Sequence, residues 1–325
     1  IGRGLGEQLL TLAQRVQDPA LLLEAHHELW ANLSALGELT AARTHTEQGF
    51  ALYDSQQHKH HAFLYGGHDP GVCSGYHAAE VLWLLGYPDH ALRRSRESLA
   101  LARELAHPST MANVLFFAAW FHYHRGEWQI FQARVEEGLT LATEHGFSRW
   151  LAQATFLQGW LLVEQEQKQA GIAKMVEALA TERAGIGLAR WNALFAASLA
   201  EAYGRTGQIG EGLNVVNEEL ANRRVTECCC YEAELHRIKG ELLLRETAAD
   251  EQQAEACFRN ALKIARSQNA KSLELRGVMS MSRLWQRQGK KAEAQKLLNE
   301  VYRWFTEGFD TADLKQAKLL LDELA

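Results

Sequence analysis

Proline is scarce. The chain has 325 residues and only 4 prolines, Pro19, Pro70, Pro88 and Pro108. Ordinary usage, about 5%, would give roughly 16. None occurs from Ser109 to Ala325. So long a stretch without proline excludes most β-rich folds, whose turns use it freely. It also excludes Pro-rich disordered linkers. Long apolar runs are missing as well. Nothing approaches the ~18 consecutive apolar residues of a membrane span, so no membrane partner is expected. An excess of positive charge is also lacking. Lys+Arg number 34 against 40 Asp+Glu, a formal charge of −6. That removes the electrostatic reason to expect nucleic acid, which wants a basic face.

Paired cysteines are missing too. There are 5, an odd number, and Cys228, Cys229 and Cys230 are adjacent. That is no disulfide framework, and reduced thiols in a cytoplasmic protein are the simple reading. The first residues, Ile1 to Glu7, contain no Met and do not form a signal peptide. An excised fragment of a longer chain is expected. A Gly-x4-Gly-Lys-Ser/Thr loop and a His-Glu-x-x-His pair are both absent. No catalytic residue, cofactor or metal is therefore assigned, and the chain is expected not to be an enzyme.

What is present is repetition. Gly37, Gly86, Gly126, Gly207 and Gly289 each end one helical pattern and precede another, at spacings of 49, 40, 81 and 82. The last two are close to twice 40, so degenerate turns are expected near Gln167 and Ala249. Five residues past each turn a small residue recurs, at Ala42, Ala91, Gly171, Gly212, Ala254 and Ala294; Phe131 breaks the rule. Seven before the turn stand Ala79, Ala119, Gly159, Ala200 and Ser282, with Gly240 in the sixth repeat and Trp30 as the exception. Small residues at fixed helical positions let two helices approach, and apolar residues at i, i+3 and i+4 fill the space between them.

These positions resemble the tetratricopeptide repeat (TPR); Ala254, Phe258, Ala261 and Leu262 match its pattern well. The expected fold is all-α, a right-handed TPR-like α-solenoid of helix hairpins with a repeat of about 40 residues. One array is expected over 1–325. It has a trailing half-repeat at 1–17, repeats at 18–55, 68–106, 107–146, 147–185, 187–225, 226–268 and 269–306, and a C-terminal capping helix at 307–325. Nine extra residues fall between Phe50 and Leu99 and are read as a longer inter-repeat loop. Asp18-Pro19, Asp69-Pro70 and His107-Pro108 read as an N-cap followed by Pro at the first helical position. The phase makes Leu5–Val16 the second helix of a repeat whose first helix is missing. The exposed side of Leu5, Leu9, Leu10 and Leu12 would then favour self-association through that end.

A closer resemblance rests on four strings: Leu64-Tyr65-Gly66-Gly67-His68-Asp69-Pro70-Gly71-Val72-Cys73, Leu82 to Asp89, Tyr231 to Leu235 with Lys239 to Leu244, and Trp304 to Leu314. They are similar to the C-terminal TPR region of large bacterial signalling ATPases, often fused to a class III adenylate/guanylate cyclase. The resemblance implies a regulatory or sensor region whose chemistry lies upstream, and a chain end close to the natural C-terminus. The partner it implies is a protein or peptide, the parent's own ATPase or cyclase domains included.

The repeat phase also locates a groove. Its positions are Tyr76, Glu80 and Trp83; Phe116, Trp120 and Tyr123; Phe156 and Trp160; and Glu201. An aromatic strip flanked by charge suits a peptide, or alternatively a small flat effector. Aromatics at helical spacing also serve as core, and both readings stay open. His58, His60, His61 and His68, with His77, Asp69 and Cys73 nearby, allow a metal site, against the simpler reading of an exposed polar loop. Cys228–Cys230 read as small buried hydrophobes, and Glu136-Glu137 and Glu218-Glu219 as solvated surface.

Overall fold

A computed structural model describes residues 2–184, 190–226, 228–246 and 250–325. The described residues contain helices and no strand. They divide into two compact units, Ile1–Ala154 and Thr155–Ala325.

In the first unit, α1 (Gly2–Val16) packs on α2 (Pro19–Ala35), which pairs with α3 (Leu39–Leu52). Two short helices, α4 (Ser55–His58) and α5 (His61–Leu64), lead to the hairpin of α6 (Pro70–Leu84) and α7 (Pro88–Leu105). A further hairpin joins α8 (Pro108–Arg125) to α9 (Trp128–Glu144). The first helices also touch in succession, α2 on α6 and α6 on α8. The division falls within α10 (Ser148–Glu164). The second unit continues with α11 (Lys168–Ala184), α12 (Arg190–Arg205), α13 (Ile209–Thr226), α14 (Glu232–Glu246), α15 (Glu251–Ser267), α16 (Lys271–Arg287), α17 (Lys291–Tyr302) and α18 (Ala312–Leu324). Its hairpins are α12–α13, α14–α15 and α16–α17, with α12 on α14, α14 on α16 and α18 closing on α16 and α17.

The five turn glycines all adopt left-handed φ, between 75° and 91°. Each ends its helix in the same way. The amide of the following residue reaches back five residues, as in Glu38 N–H to Leu33 O at 2.9 Å and Tyr87 N–H to Leu82 O at 2.8 Å. The satisfied carbonyls and the chain reversal come from one bond pattern. Near Gln167 the expected degenerate turn is present: Glu166 takes φ 64°, and Gln167 N–H bonds Leu162 O at 2.8 Å. The turn expected near Ala249 lies outside the described residues.

Of the four Pro-led helices, the three with the expected Asp or His caps start as expected. Asp18 accepts the Ala20 amide at 2.9 Å, Asp69 accepts that of Val72 at 3.0 Å, and His107 caps α8. Four readings need correction. Cys228 and Cys229 are partly exposed and Cys230 alone of the three is buried, because they lie in the non-helical connection before α14. Residues 55–67 are not an exposed loop throughout. Asp54 caps α4, and His58 and His61 are buried, because His58 accepts the Asp54 amide at 2.9 Å and His61 reaches Glu24. Glu219 is buried rather than solvated, since Arg183 approaches it at 3.2 Å. Leu9 and Leu10 are partly covered, while Leu5 and Leu12 stay exposed.

Candidate functional site

All nine groove positions fall on first helices: α6, α8, α10 and α12. Six of them, Tyr76, Trp83, Phe116, Trp120, Phe156 and Trp160, are no more than 5% exposed. Their rings are engaged. Asn113 donates to the Tyr76 hydroxyl at 2.9 Å, and the Tyr76 ring lies 3.9 Å from that of Phe117. His124 stacks on Trp83 at 4.1 Å and on Trp120 at 5.9 Å, joining α6 to α8. In the second unit Phe156 stacks on Phe195 at 4.1 Å, and the Arg205 guanidinium lies over Trp160. Glu80, Tyr123 and Glu201 keep partial exposure.

Around Glu201 the first helices of the second unit carry charge. Arg237 grips Glu234 with two nitrogens, at 3.0 and 2.7 Å. Arg276 bridges Glu234 at 3.1 Å and Asp313 at 2.8 Å. Burial raises the Glu201 carboxyl above its ordinary value, with Arg237 pulling it back. The row runs from α12 through α14 and α16 to α18.

A second constellation is built around the Gly66–Cys73 string of the first unit. Gly67 takes φ 71°, which turns the chain back on itself. Gly66 leaves room for His68, since a Cβ there would lie 3.0 Å from the imidazole. Asp69 caps α6, Pro70 opens it, and Gly71 admits the Tyr53 ring, which a Cβ would meet at 2.4 Å. Tyr53 donates to Asp69 at 3.0 Å. Cys73 thus sits in the first turn of α6, where the helix dipole favours a thiolate.

Opposite stands α2. Its Glu24 accepts from His27 Nδ1 at 3.0 Å and from His61 Nδ1 at 2.5 Å. His27 Nε2 and His68 Nε2 approach to 3.1 Å, and His68 Nδ1 lies 2.7 Å from the Gly66 carbonyl. The donor atoms of His27, His68 and Cys73 all lie within 4.8 Å of one another. Burial works against charge here, but the Cys73 thiolate and Glu24 lift His27 to about 10. Burial likewise raises the Cys73 thiol, and His27, His68 and His77 together overcome it and hold the group well below its ordinary value. Sequence spacing did bring His68 and Cys73 together. It missed His27 and Glu24, although Glu24-Ala25-His26-His27 places a carboxylate and an imidazole three apart on one helix face.

No protein-family model matches the chain. An uncharacterised protein of Rhizobium meliloti (strain 1021), R02095, is 26% identical over 278 residues, covering 85% of this chain. The chain spans 27% of that relative's length. Among solved structures, a Rap protein complexed with competence and sporulation factor superposes with a TM-score of 0.60 at 12% identity. The match covers 99% of this chain and 93% of the Rap chain. A tetratricopeptide repeat protein from Parabacteroides merdae ATCC 43184 gives 0.48 at 13% identity, over 93% of this chain and 98% of that one. The fold class is therefore all-α and TPR-like, a solenoid of helix hairpins.

Proposed function

We propose that the chain is a non-enzymatic recognition and regulatory module that binds a protein or peptide along its first helices. The observation carrying this reading is that each unit bears groove positions on its first helices, with Tyr123 on α8 of the first unit and Glu201 on α12 of the second keeping partial exposure. Within a unit, a hairpin array presents such positions repeatedly, which suits an extended partner. The charged row of Glu201, Arg237, Glu234 and Arg276 supports the same reading. Its arginines pair with carboxylates of their own and neighbouring helices, and a charged segment of a partner meets complementary charge there. The buried aromatic rings favour such a segment over a small flat effector. The likeness to strings of bacterial signalling ATPases and cyclases makes segments of a parent polypeptide the first partners to try.

The test is a photo-crosslinking amino acid placed singly at Tyr123, Glu201 and, as a control on α7, Glu97. The partner offered is an ATPase or cyclase domain of the kind the resemblance implies, supplied as a separate chain. Crosslinks from Tyr123 and Glu201 but not Glu97 support the reading; the reverse pattern overturns it. We also propose self-association through α1, where Leu5, Leu12 and Val16 are each more than half exposed. Sedimentation velocity of Leu5→Lys/Leu12→Lys against the parent chain tests this, and identical concentration dependence would sink it.

A further inference from the structure

From the convergence of three donor atoms on one point we infer that His27, His68 and Cys73 form a site for a borderline-soft divalent cation of the zinc class, which ties α2 to the start of α6. The inference is independent of the recognition role proposed above.

The tautomers carry the argument. An ionised carboxylate only accepts hydrogen bonds, so His27 Nδ1, 3.0 Å from Glu24, holds its proton there. A backbone carbonyl also only accepts, so His68 Nδ1, 2.7 Å from Gly66 O, holds its proton too. His27, charged beside the Cys73 thiolate and Glu24, gives up its Nε2 proton to take an ion, and each ring then presents a lone pair at Nε2. The two Nε2 atoms face each other at 3.1 Å. Lone pairs repel at that distance unless a cation lies between them. A proton is one solution, and a metal ion is the other. Cys73 Sγ completes the triangle with a ligand that only a soft or borderline ion rewards.

The dimensions fit. Zinc bonded to imidazole at about 2.0–2.1 Å and to thiolate at about 2.3 Å spaces its tetrahedral ligands roughly 3.3–3.7 Å apart. The observed separations, 3.1 Å between the nitrogens and at most 4.8 Å overall, need only small shifts. His68 lies in the turn that Gly67 makes at φ 71°, outside any helix, so its ring is not held by helical geometry. Both imidazoles carry the second hydrogen bond that orients a metal ligand, His27 to a carboxylate and His68 to a carbonyl. Hard cations, which prefer oxygen donors, are poorly served. Three protein ligands leave the fourth tetrahedral position to water.

The same residues also read as a nucleophile, a base and an orienting carboxylate: Cys73, His27 and Glu24. Cys73 is 1% exposed, so a substrate has no access to its sulfur. A small ion reaches the triangle from the side of His68, which is partly exposed.

Cobalt(II) serves as the probe, titrated into the purified 325-residue chain under reducing conditions. A thiolate-to-cobalt charge-transfer band in the near ultraviolet, with visible bands of tetrahedral intensity, is expected at one equivalent and should be displaced by zinc. Cys73→Ser should abolish the charge-transfer band. His68→Gln, a change in a loop side chain, should weaken cobalt binding at least about tenfold and still fold by circular dichroism. His60→Gln, an exposed histidine of the same segment, should bind as the parent does. If Cys73→Ser fails to fold, His68→Gln against His60→Gln decides. Absence of the band, its persistence in Cys73→Ser (which would move the cobalt to Cys228–Cys230), or unchanged affinity in His68→Gln overturns the inference.

Discussion

Gly159 on α10 and Gly171 on α11 face each other with no room for a side chain on either. A Cβ on Gly159 would lie 2.7 Å from the Gly171 carbonyl oxygen, and one on Gly171 would lie 2.5 Å from that of Gly159. The same relationship recurs twelve residues apart elsewhere. A Cβ on Gly212 would meet Ala200 O at 3.1 Å, and Ser282 Oγ donates to Ala294 O at 3.2 Å. The small residue before each turn and the one after it are two sides of one helix crossing.

That contact sets opposite expectations for two Gly→Ala changes. Alanine is normally better than glycine inside a helix by about 0.5–1 kcal/mol. Gly138 on α9 has room, its nearest neighbour being Leu115 Cβ at 3.8 Å from the added atom. Gly138→Ala should therefore raise the thermal midpoint slightly. In Gly159→Ala the clash is with backbone, which cannot swing aside. A net loss of about 1–3 kcal/mol is expected, with a lower midpoint by circular dichroism. Equal shifts in the two variants would refute the close-approach account.

His122 gives a pH dependence of definite sign. Its Nδ1 lies 2.5 Å from Glu127 Oε2. Burial lowers the imidazole pKa, Arg134 and Arg125 push the same way, and Glu127 opposes them. With the folded value depressed, the unfolded chain takes up the proton first as pH falls below about 6.5. The contribution is thus fully present above that pH and is lost as pH falls toward the folded value. Other lowered histidines act in the same direction, so the informative quantity is a difference. Urea midpoints measured from about pH 7.5 to 5 should fall less steeply in His122→Gln than in the parent. Parallel curves would count against this assignment.

The hairpin periodicity was legible because it is local. A turn glycine and its small neighbours lie within one hairpin, and the spacing reports the crossing directly. Even the exceptions obey the physics. Trp30 occupies a small-residue position, yet it fits because a Cβ on its neighbour Gly49 would lie 2.2 Å from the indole. The groove residues were legible as first-helix positions but not as buried or exposed. That depends on neighbours such as Phe117, Phe195 and His124, which period alone does not rank. The His27–His68–Cys73 cluster was only half legible. His27 and His68 stand 41 residues apart on separate elements, a distance no spacing rule spans.

Arg276 holds two carboxylates from different helices, Glu234 on α14 and Asp313 in the first turn of α18. Its planar fork reaches both through different nitrogens, which one ammonium cannot do. Arg276→Lys should lose one of the two pairs, and Arg276→Met both. Removing one partner of a fully buried pair costs about 3–5 kcal/mol. Arg276 keeps 16% side-chain exposure, so about 2 kcal/mol is expected for Arg276→Met, with roughly half of that for Arg276→Lys. Chemical unfolding of the three proteins checks the order. A Lys variant as weak as the Met variant would mean the fork geometry, rather than the charge, carries the whole effect.

Glu24 touches no donor atom of the triangle except through His27, so its role there is positioning. One carboxylate oxygen takes the His27 proton at 3.0 Å and the other takes that of His61 at 2.5 Å. Glu24→Gln preserves the shape but leaves a single acceptor and adds a donor. His27 then loses the partner that fixes its tautomer and its ring orientation. Cobalt affinity should fall about 10–100-fold, the range seen when the partner of a ligating histidine is removed. The charge-transfer band reached at saturation should stay, because Cys73 is untouched. A purely structural role for Glu24 would lower stability without separating these two readouts. Affinity unchanged in a folded Glu24→Gln chain would show that the imidazole is oriented by packing against Trp30, on which it stacks at 4.9 Å, and not by the carboxylate.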